Sequence, residues 1–269
     1  MNARSVDALV RLARWPNVVL AAAGVALGAW WVGWGPDAGI ALAAAGAACL
    51  TVTANVWNDL ADIDIDRRAH PGRPLPAGLV SPAAARRIAA CAGVAGVALE
   101  AASSPMLGAL SVVVVALMYA YSPWIKRTGL PGNVLVAGLA SLPFLYGAWA
   151  AGRPGGAVAL VTIAVPLHLA REVAKDLEDA PADAATRRTV PVSAGTSAAT
   201  AVLAVASLAF LLLLLPFAAA RPRFGAAAIP AAALVLYAVG IAVRGRRGSP
   251  LVFKLAMVCA MAAFLTARP

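Results

Sequence analysis

AGIALAAAGAACLTVTANVWNDLADIDIDRR, residues 38–68, opens with twenty-one residues that carry no charge and closes on four aspartates and two arginines. About 20 apolar residues in a helix cross the hydrocarbon core of a bilayer. The stretch therefore reads as a membrane-spanning helix that delivers a column of acids to one membrane face. Its pattern repeats along the chain. Spans are expected at 16–35, 38–60, 82–101, 106–125, 130–150, 155–175, 193–219, 226–243 and 250–267, which gives an all-α, polytopic membrane protein of nine transmembrane helices.

Composition agrees. The 269 residues are 62% hydrophobic and 13% charged, and the mean hydropathy of +0.82 lies far from that of a water-soluble domain. Aromatics are 6%, so close packing is expected to rest on Ala, Gly and other small residues. A transmembrane barrel would need short alternating segments, which are absent. Cys49, Cys91 and Cys259 have no metal-ligand spacing and read as packing residues. The N-terminus MNARSVDALVRLARWPN lacks the short apolar core of a signal peptide, so the first span is expected to be retained.

Nine spans place 18 of the 22 lysines and arginines on one side, leaving Arg153, Arg221, Arg223 and Arg268 opposite. Basic residues of short loops mark the cytoplasmic face. The N-terminus and the acidic segments are therefore expected in the cytoplasm, and the C-terminus across a bacterial or archaeal cell membrane. The net charge of +10 then follows from topology and anionic headgroups. With no basic stripe interleaved with aromatics, no nucleic-acid partner is expected.

Nine of the twelve acids lie in two segments. In the first, Asn58, Asp62 and Asp66 fall at i, i+4 and i+8 and share one face if the helix continues. In the second, REVAKDLEDAPAD (171–183), Glu172, Asp176, Asp179 and Asp183 form a similar stripe, with Pro181 expected to end regular helix before Asp183. A lone aspartate at a helix end is ordinarily a solvated or ion-paired residue. Two columns of carboxylates in a chain this poor in charge point to function. Hard oxygen donors so arranged suit Mg2+, and neighbouring Arg67, Arg73, Lys126, Arg171, Lys175 and Arg188 suit an anion bridged to the acids by metal, as a diphosphate would be. Arg171 and Lys175 have the alternative of pairing with Asp176 or Glu178.

At these residues the chain resembles the UbiA superfamily of intramembrane prenyltransferases. Asn58-Asp59, Asp62 and Asp66 match its NDxxDxxxD signature, and Arg73-Pro74-Leu75-Pro76-Ala77-Gly78 looks like its RPLPxG loop. REVAKDLEDAPAD is similar to the REIxKDxEDxxGD of the branch that makes archaeal ether lipids and to the KDxxDxxGD of the chlorophyll and tocopherol branches. Tyr121-Ser122-Pro123-Trp124-Ile125-Lys126, Gly129-Leu130-Pro131-Gly132-Asn133 and Thr189-Val190-Pro191 extend the likeness. Ala182 stands where the family has Gly, and the DxxYAxxD of the ubiquinone branch is replaced.

The resemblance implies one transmembrane prenyltransferase domain over 1–269, with halves of roughly 1–128 and 129–269 that each carry an acidic motif, and an active site at the cytoplasmic rim. It implies two Mg2+ held by Asn58, Asp62, Asp66, Asp179 and Asp183. A prenyl diphosphate would be contacted by Arg67, Arg73 and Lys126, with Arg171, Lys175, Tyr121 and Asn133 as further substrate-binding candidates. Glu172 and Asp176, with Lys126, are the catalytic candidates toward a small hydrophobic or aromatic acceptor. Tyr119, Tyr146 and Trp57 are further aromatic faces for an allylic cation, while His70 and His168 read as loop and packing residues. Internal cyclisation of the prenyl chain is the alternative within the fold, and secondary transport the alternative of another class.

Overall fold

The structure is a computed structural model and describes residues 3–121, 124–184 and 187–267, with the side chains of 3, 4, 126 and 127 excepted. Among the described residues every regular element is helical. Eleven α-helices follow in order: α1 (Ala3–Ala13), α2 (Trp15–Trp31), α3 (Ala38–Ala61), α4 (Ile63–Ala69), α5 (Pro82–Ser103), α6 (Pro105–Tyr121), α7 (Leu130–Ala150), α8 (Val158–Asp183), α9 (Val190–Ala220), α10 (Pro222–Val243) and α11 (Ser249–Phe264). Each of the nine stretches expected to span carries one of them.

Among the described residues six helices are long and apolar enough to cross a membrane: α3, α5, α7, α8 with the short turn before it, α9 and α10. α2 reaches that length only with α1, across a 51° bend, and α6 and α11 are shorter apolar helices. Val94, Val112, Val205, Leu212, Ile229, Leu236 and Leu251 stand exposed on their outer surfaces. An apolar exterior of this extent belongs in lipid, and the protein is integral to a membrane.

Local chemistry sets the helix starts. Asp37 Oδ1 accepts from the Gly39 amide at 2.6 Å at the head of α3, and Ser81 Oγ accepts from the Ala84 amide at 3.2 Å before Pro82 opens α5. The bend between α1 and α2 falls on Arg14, the one non-glycine among the described residues with positive φ (52°). A side chain in that region costs about 1 kcal/mol or more. Arg14 keeps the conformation because its guanidinium is ion-paired with the buried Asp59 of α3.

Packing between α2 and α7 uses backbone contact. Gly24 and Gly28 lie one turn apart on α2 and face Pro143 and Phe144 of α7, while Gly147 of α7 faces Val25 and Ala29. A Cβ at Gly147 would lie 1.8 Å from the Val25 carbonyl oxygen. Small residues permit this approach where lipid offers no hydrophobic drive between helices. α3 packs on α5 in the same way, Gly96 against Leu50, while Thr53 Oγ1 donates across to the Ala89 carbonyl at 3.1 Å. α7 to α11 build the largest core, and α11 returns to α2 through Trp31 and Phe264, whose rings meet edge to face at 5.6 Å.

Two sequence expectations are corrected. The first acidic helix does not continue straight: it breaks at Asp62, between α3 and α4. Pro181 does not end α8, which runs on through Asp183. Proline removes one backbone hydrogen bond. Here the last turn is held through Arg187, which donates to the buried Asp183 at 3.1 Å and reaches across to Asp62 of the first motif.

Replacing Gly147 by Ala is expected to force α2 and α7 apart, at a cost of about 2 kcal/mol. The measurement is the thermal midpoint of the detergent-solubilised protein, with Gly138→Ala, where a Cβ meets open space, as the unchanged control.

Candidate active site

Two halves of the chain supply the charges at one end of the bundle. On the first motif, Asp59, Asp62 and Asp66 are buried, and each has an arginine: Arg14 on Asp59, Arg187 on Asp62, and Arg73 on Asp66 at 2.6 Å. Asp64 points the other way, exposed, and pairs with Arg67 at 2.7 Å. Arg67 is thus turned to solvent, away from the buried acids. Asp59 is a tie between α3 and the α1–α2 bend.

On α8, Glu172 is buried between Arg171, whose Nη1 donates at 2.8 Å, and Lys175. Asn133 Nδ2 of α7 donates to Asp176 Oδ2 at 2.8 Å. Asp179 is partly exposed and lies 3.7 Å from His70 Nε2. Glu178 holds structure together: its Oε1 accepts from the Gly248 and Ser249 amides at 2.8 and 3.0 Å, and so caps α11.

Arg187 joins the motifs. Its side chain is 10% exposed and donates to Asp62 of the first motif and Asp183 of the second. Burial alone would lower the guanidinium's affinity for its proton, but the carboxylates of Asp62 and Asp183 outweigh that and raise it, so Arg187 stays charged. Among the described residues no three carboxylate, imidazole or thiol groups stand together as a ready-made metal cage. Asp62 and Asp183 share a cation in the form of this guanidinium.

A cavity of about 280 Å³ opens beside these groups. Its polar end carries Asn58, Tyr121, Glu172, Arg171 and Lys175, together with Arg14, Asn17, Asn55 and Lys254, which the sequence reading did not assign to the site. Leu20, Leu27, Leu139, Phe144, Leu160, Phe210 and Phe264 make its apolar depth. Tyr121 lies in the field of Glu172, Asp176, Asp62 and Arg187, which ties the cavity to both acidic motifs. Trp57 packs on Tyr119 with the rings tilted and their centroids 4.4 Å apart, and Tyr146 is buried against Ser111, outside the cavity lining. His168 is part of the cavity wall. The Lys126 side chain lies outside the described residues.

Arg187 had one legible signal, its place four residues after Asp183, the spacing of an ion pair on successive helical turns. Lys254 had another, a lone lysine inside an apolar span, where charged residues are rare and functional. Its reading as a topology charge alone missed that.

An all-helical membrane bundle with two buried carboxylate motifs at one end of a largely apolar cavity, which Asn58 of the first and Glu172 of the second line, is the arrangement of an enzyme that works within the bilayer. The chain belongs to the UbiA prenyltransferase family, whose family model matches residues 14–265. It is 36% identical over 265 residues to a digeranylgeranylglyceryl phosphate synthase of Methanopyrus kandleri, covering 96% of this chain and 98% of that one. The fold is similar to an apo UbiA homologue of Aeropyrum pernix, with a TM-score of 0.78 at 20% identity over 93% of this chain and 96% of the other. It is also similar to a UbiA homologue of Archaeoglobus fulgidus bound to GPP and Mg2+, with a TM-score of 0.73 at 18% identity over 97% and 99%.

Arg187→Ala leaves Asp62 and Asp183 buried without their shared counter-charge, and breaking a buried ion pair in this way costs about 3 kcal/mol. The expected outcome is a thermal midpoint several degrees lower in metal-free buffer. Arg188→Ala, run in parallel, tests whether a neighbouring arginine does the same.

Proposed function

We propose that the chain transfers the prenyl group of an allylic prenyl diphosphate, with Mg2+, to the hydroxyl of a small phosphate-bearing acceptor of the glycerophosphate-lipid type, releasing diphosphate. The observation that carries the reading is the meeting of the two acidic motifs at Asp62, Arg187 and Asp183, beside a cavity that is polar at one end and apolar in its depth. The relative named digeranylgeranylglyceryl phosphate synthase supports a glycerophosphate-type acceptor over the small aromatic one expected from sequence.

The buried donors fit the metal. Asp62, Asp66 and Asp183 are hard oxygen ligands that need positive charge where they lie, and Asp62 and Asp183 already bind a cationic side chain. Mg2+ is held by one or two carboxylates with substrate phosphate completing its shell, so a full protein cage is not required. Asn58, Asp62, Asp66, Asp179 and Asp183 would hold it. When bound, Mg2+ supplies the charge that lets diphosphate depart.

The chain's own groups do the rest. Arg73 and Arg187 donate to the leaving diphosphate, and Lys126 adds a further cation. The bond between the allylic carbon and the diphosphate oxygen breaks, its electron pair leaving with the oxygen. The apolar walls keep water from the allylic cation, and Tyr121 presents a ring face at the polar end. The acceptor oxygen then forms the new bond, and its proton passes to the Glu172–Asp176 pair of α8. Arg171 and Lys175 hold the first of these as a carboxylate, and Asn133 orients the second.

The proposal includes a cytoplasmic N-terminus and site, with the C-terminus opposite, supported by the asymmetry of the basic residues. It also includes two halves, 1–128 and 129–269. Their support is packing order: α2, α3, α5 and α6 in sequence in one half, and α7, α8, α9 and α10 in the other.

The test supplies purified protein with prenyl diphosphate, Mg2+ and a panel of an alkyl glyceryl phosphate, hydroxybenzoate and homogentisate, read by product mass and released diphosphate. Asp62→Asn and Asp183→Asn are expected to lower diphosphate release by on the order of a hundredfold or more, with the exposed Asp64→Asn near wild type. A hydrocarbon product formed without acceptor would sink the transfer reading.

A further inference from the structure

Four cations gather at the polar end of the cavity: Arg14 at the α1–α2 bend, Arg171 and Lys175 on α8, and Lys254 on α11. Asp59 pairs with the first, and Glu172 pairs with the next two. Lys254 donates to a neutral amide, Asn17 Oδ1, at 2.6 Å, and has no carboxylate within ion-pair distance among the described residues. That oxygen is itself held in place. Asn17 Nδ2 donates to Asn55 Oδ1 at 3.3 Å, and Asn55 Nδ2 donates to the Ala13 carbonyl at 2.8 Å.

Two features show that this cluster is incomplete as a set of ion pairs. Arg171 and Arg14 each act on Lys254 more strongly than the opposing carboxylate of Glu172 does, so the group repels itself. Arg171 Nε is buried and has no acceptor among the described residues. Four cations against the two carboxylates of Asp59 and Glu172 leave an excess of positive charge beside an apolar cavity, which is costly because low polarizability strengthens repulsion as well as attraction. A dianion there would relieve it, and a phosphate monoester carries about two negative charges near neutral pH.

We infer that Arg171, Lys254 and Arg14 form a binding subsite for the phosphate of the acceptor, separate from the carboxylate motifs that take the diphosphate. The inference rests on the transfer reading above and adds where the acceptor is anchored. Position explains its use: Arg171 is also the partner of Glu172, so a phosphate seated on this cluster brings a hydroxyl on the same glyceryl unit toward the Glu172 carboxylate. No metal is needed at this second anion, since fixed positive charge is already in excess. The aspartates of the motifs, by contrast, repel an anion until a cation intervenes.

The experiment measures binding of an alkyl glyceryl phosphate, and of the same alkyl glycerol without phosphate, to detergent-solubilised protein in the absence of donor and Mg2+. Wild type is expected to prefer the phosphate form. Lys254→Gln should lose that preference by on the order of tenfold, Lys254→Arg should keep it, and KM for prenyl diphosphate should stay level in both. Equal binding of the phosphate form by wild type and Lys254→Gln overturns the subsite, as does a wild type that does not discriminate the two lipids. A rise in KM for prenyl diphosphate in place of the acceptor effect assigns the cluster to the donor and overturns it too. The broader reading fails differently, through absence of both prenylated product and diphosphate release when wild type is given prenyl diphosphate, Mg2+ and the whole acceptor panel, whatever Lys254→Gln does to lipid binding.

Discussion

Six carboxylates of the two acidic motifs, Asp59, Asp62, Asp66, Glu172, Asp176 and Asp183, are buried at one end of a bundle whose exterior faces lipid. An ionised carboxylate out of water demands a partner of opposite charge or a set of donors. That demand organises the rest of the site. Arg14 is held in a strained conformation by Asp59, Arg73 brings its loop to Asp66, Asn133 ties α7 to Asp176, and Arg187 ties the two motifs to each other. The same network leaves Lys254 without a carboxylate and the Nε of Arg171 without an acceptor among the described residues, and both side chains line the cavity. Satisfied pairs hold the helices, while the surplus of positive charge is what is left for an anionic substrate.

The apolar part of the bundle answers a different constraint. Between helices in lipid, dispersion contacts and backbone approach replace the hydrophobic drive of water-soluble cores. Gly28 and Gly147 let α2 and α7 touch through their backbones, and Trp31 with Phe264 closes α2 against α11. Tight contact at these seams, with Leu20, Leu27, Phe144 and Phe210 standing around the gap between them, leaves an apolar-walled space next to charged groups. An enzyme that must keep a reactive cation from water needs that juxtaposition.

Glu178 and Asp59 show how one motif serves two ends. Both lie within the acidic segments, yet the first caps α11 and the second holds the bend at Arg14. The α11 cap sets the start of the helix that presents Lys254. Positioning and chemistry are thus adjacent in sequence, and spacing alone does not separate them.

What the residues by themselves determined is the class of fold and the two places where function is concentrated. Twenty uncharged residues have one stable solution in a bilayer, and acids clustered in a charge-poor chain have few purposes, so both are local properties that a single strand of sequence displays. The family likeness was legible for the same reason, through spacing within short motifs. Partnership was left to the tertiary structure. That Arg187 bridges Asp62 and Asp183, that Arg67 turns outward to Asp64, that α8 survives Pro181, and that Lys254 meets Arg171 and Asn17 all depend on contacts between segments far apart in the chain. Electrostatic energy depends on distance in space, and burial decides how strongly each charge acts; neither is written in the order of residues.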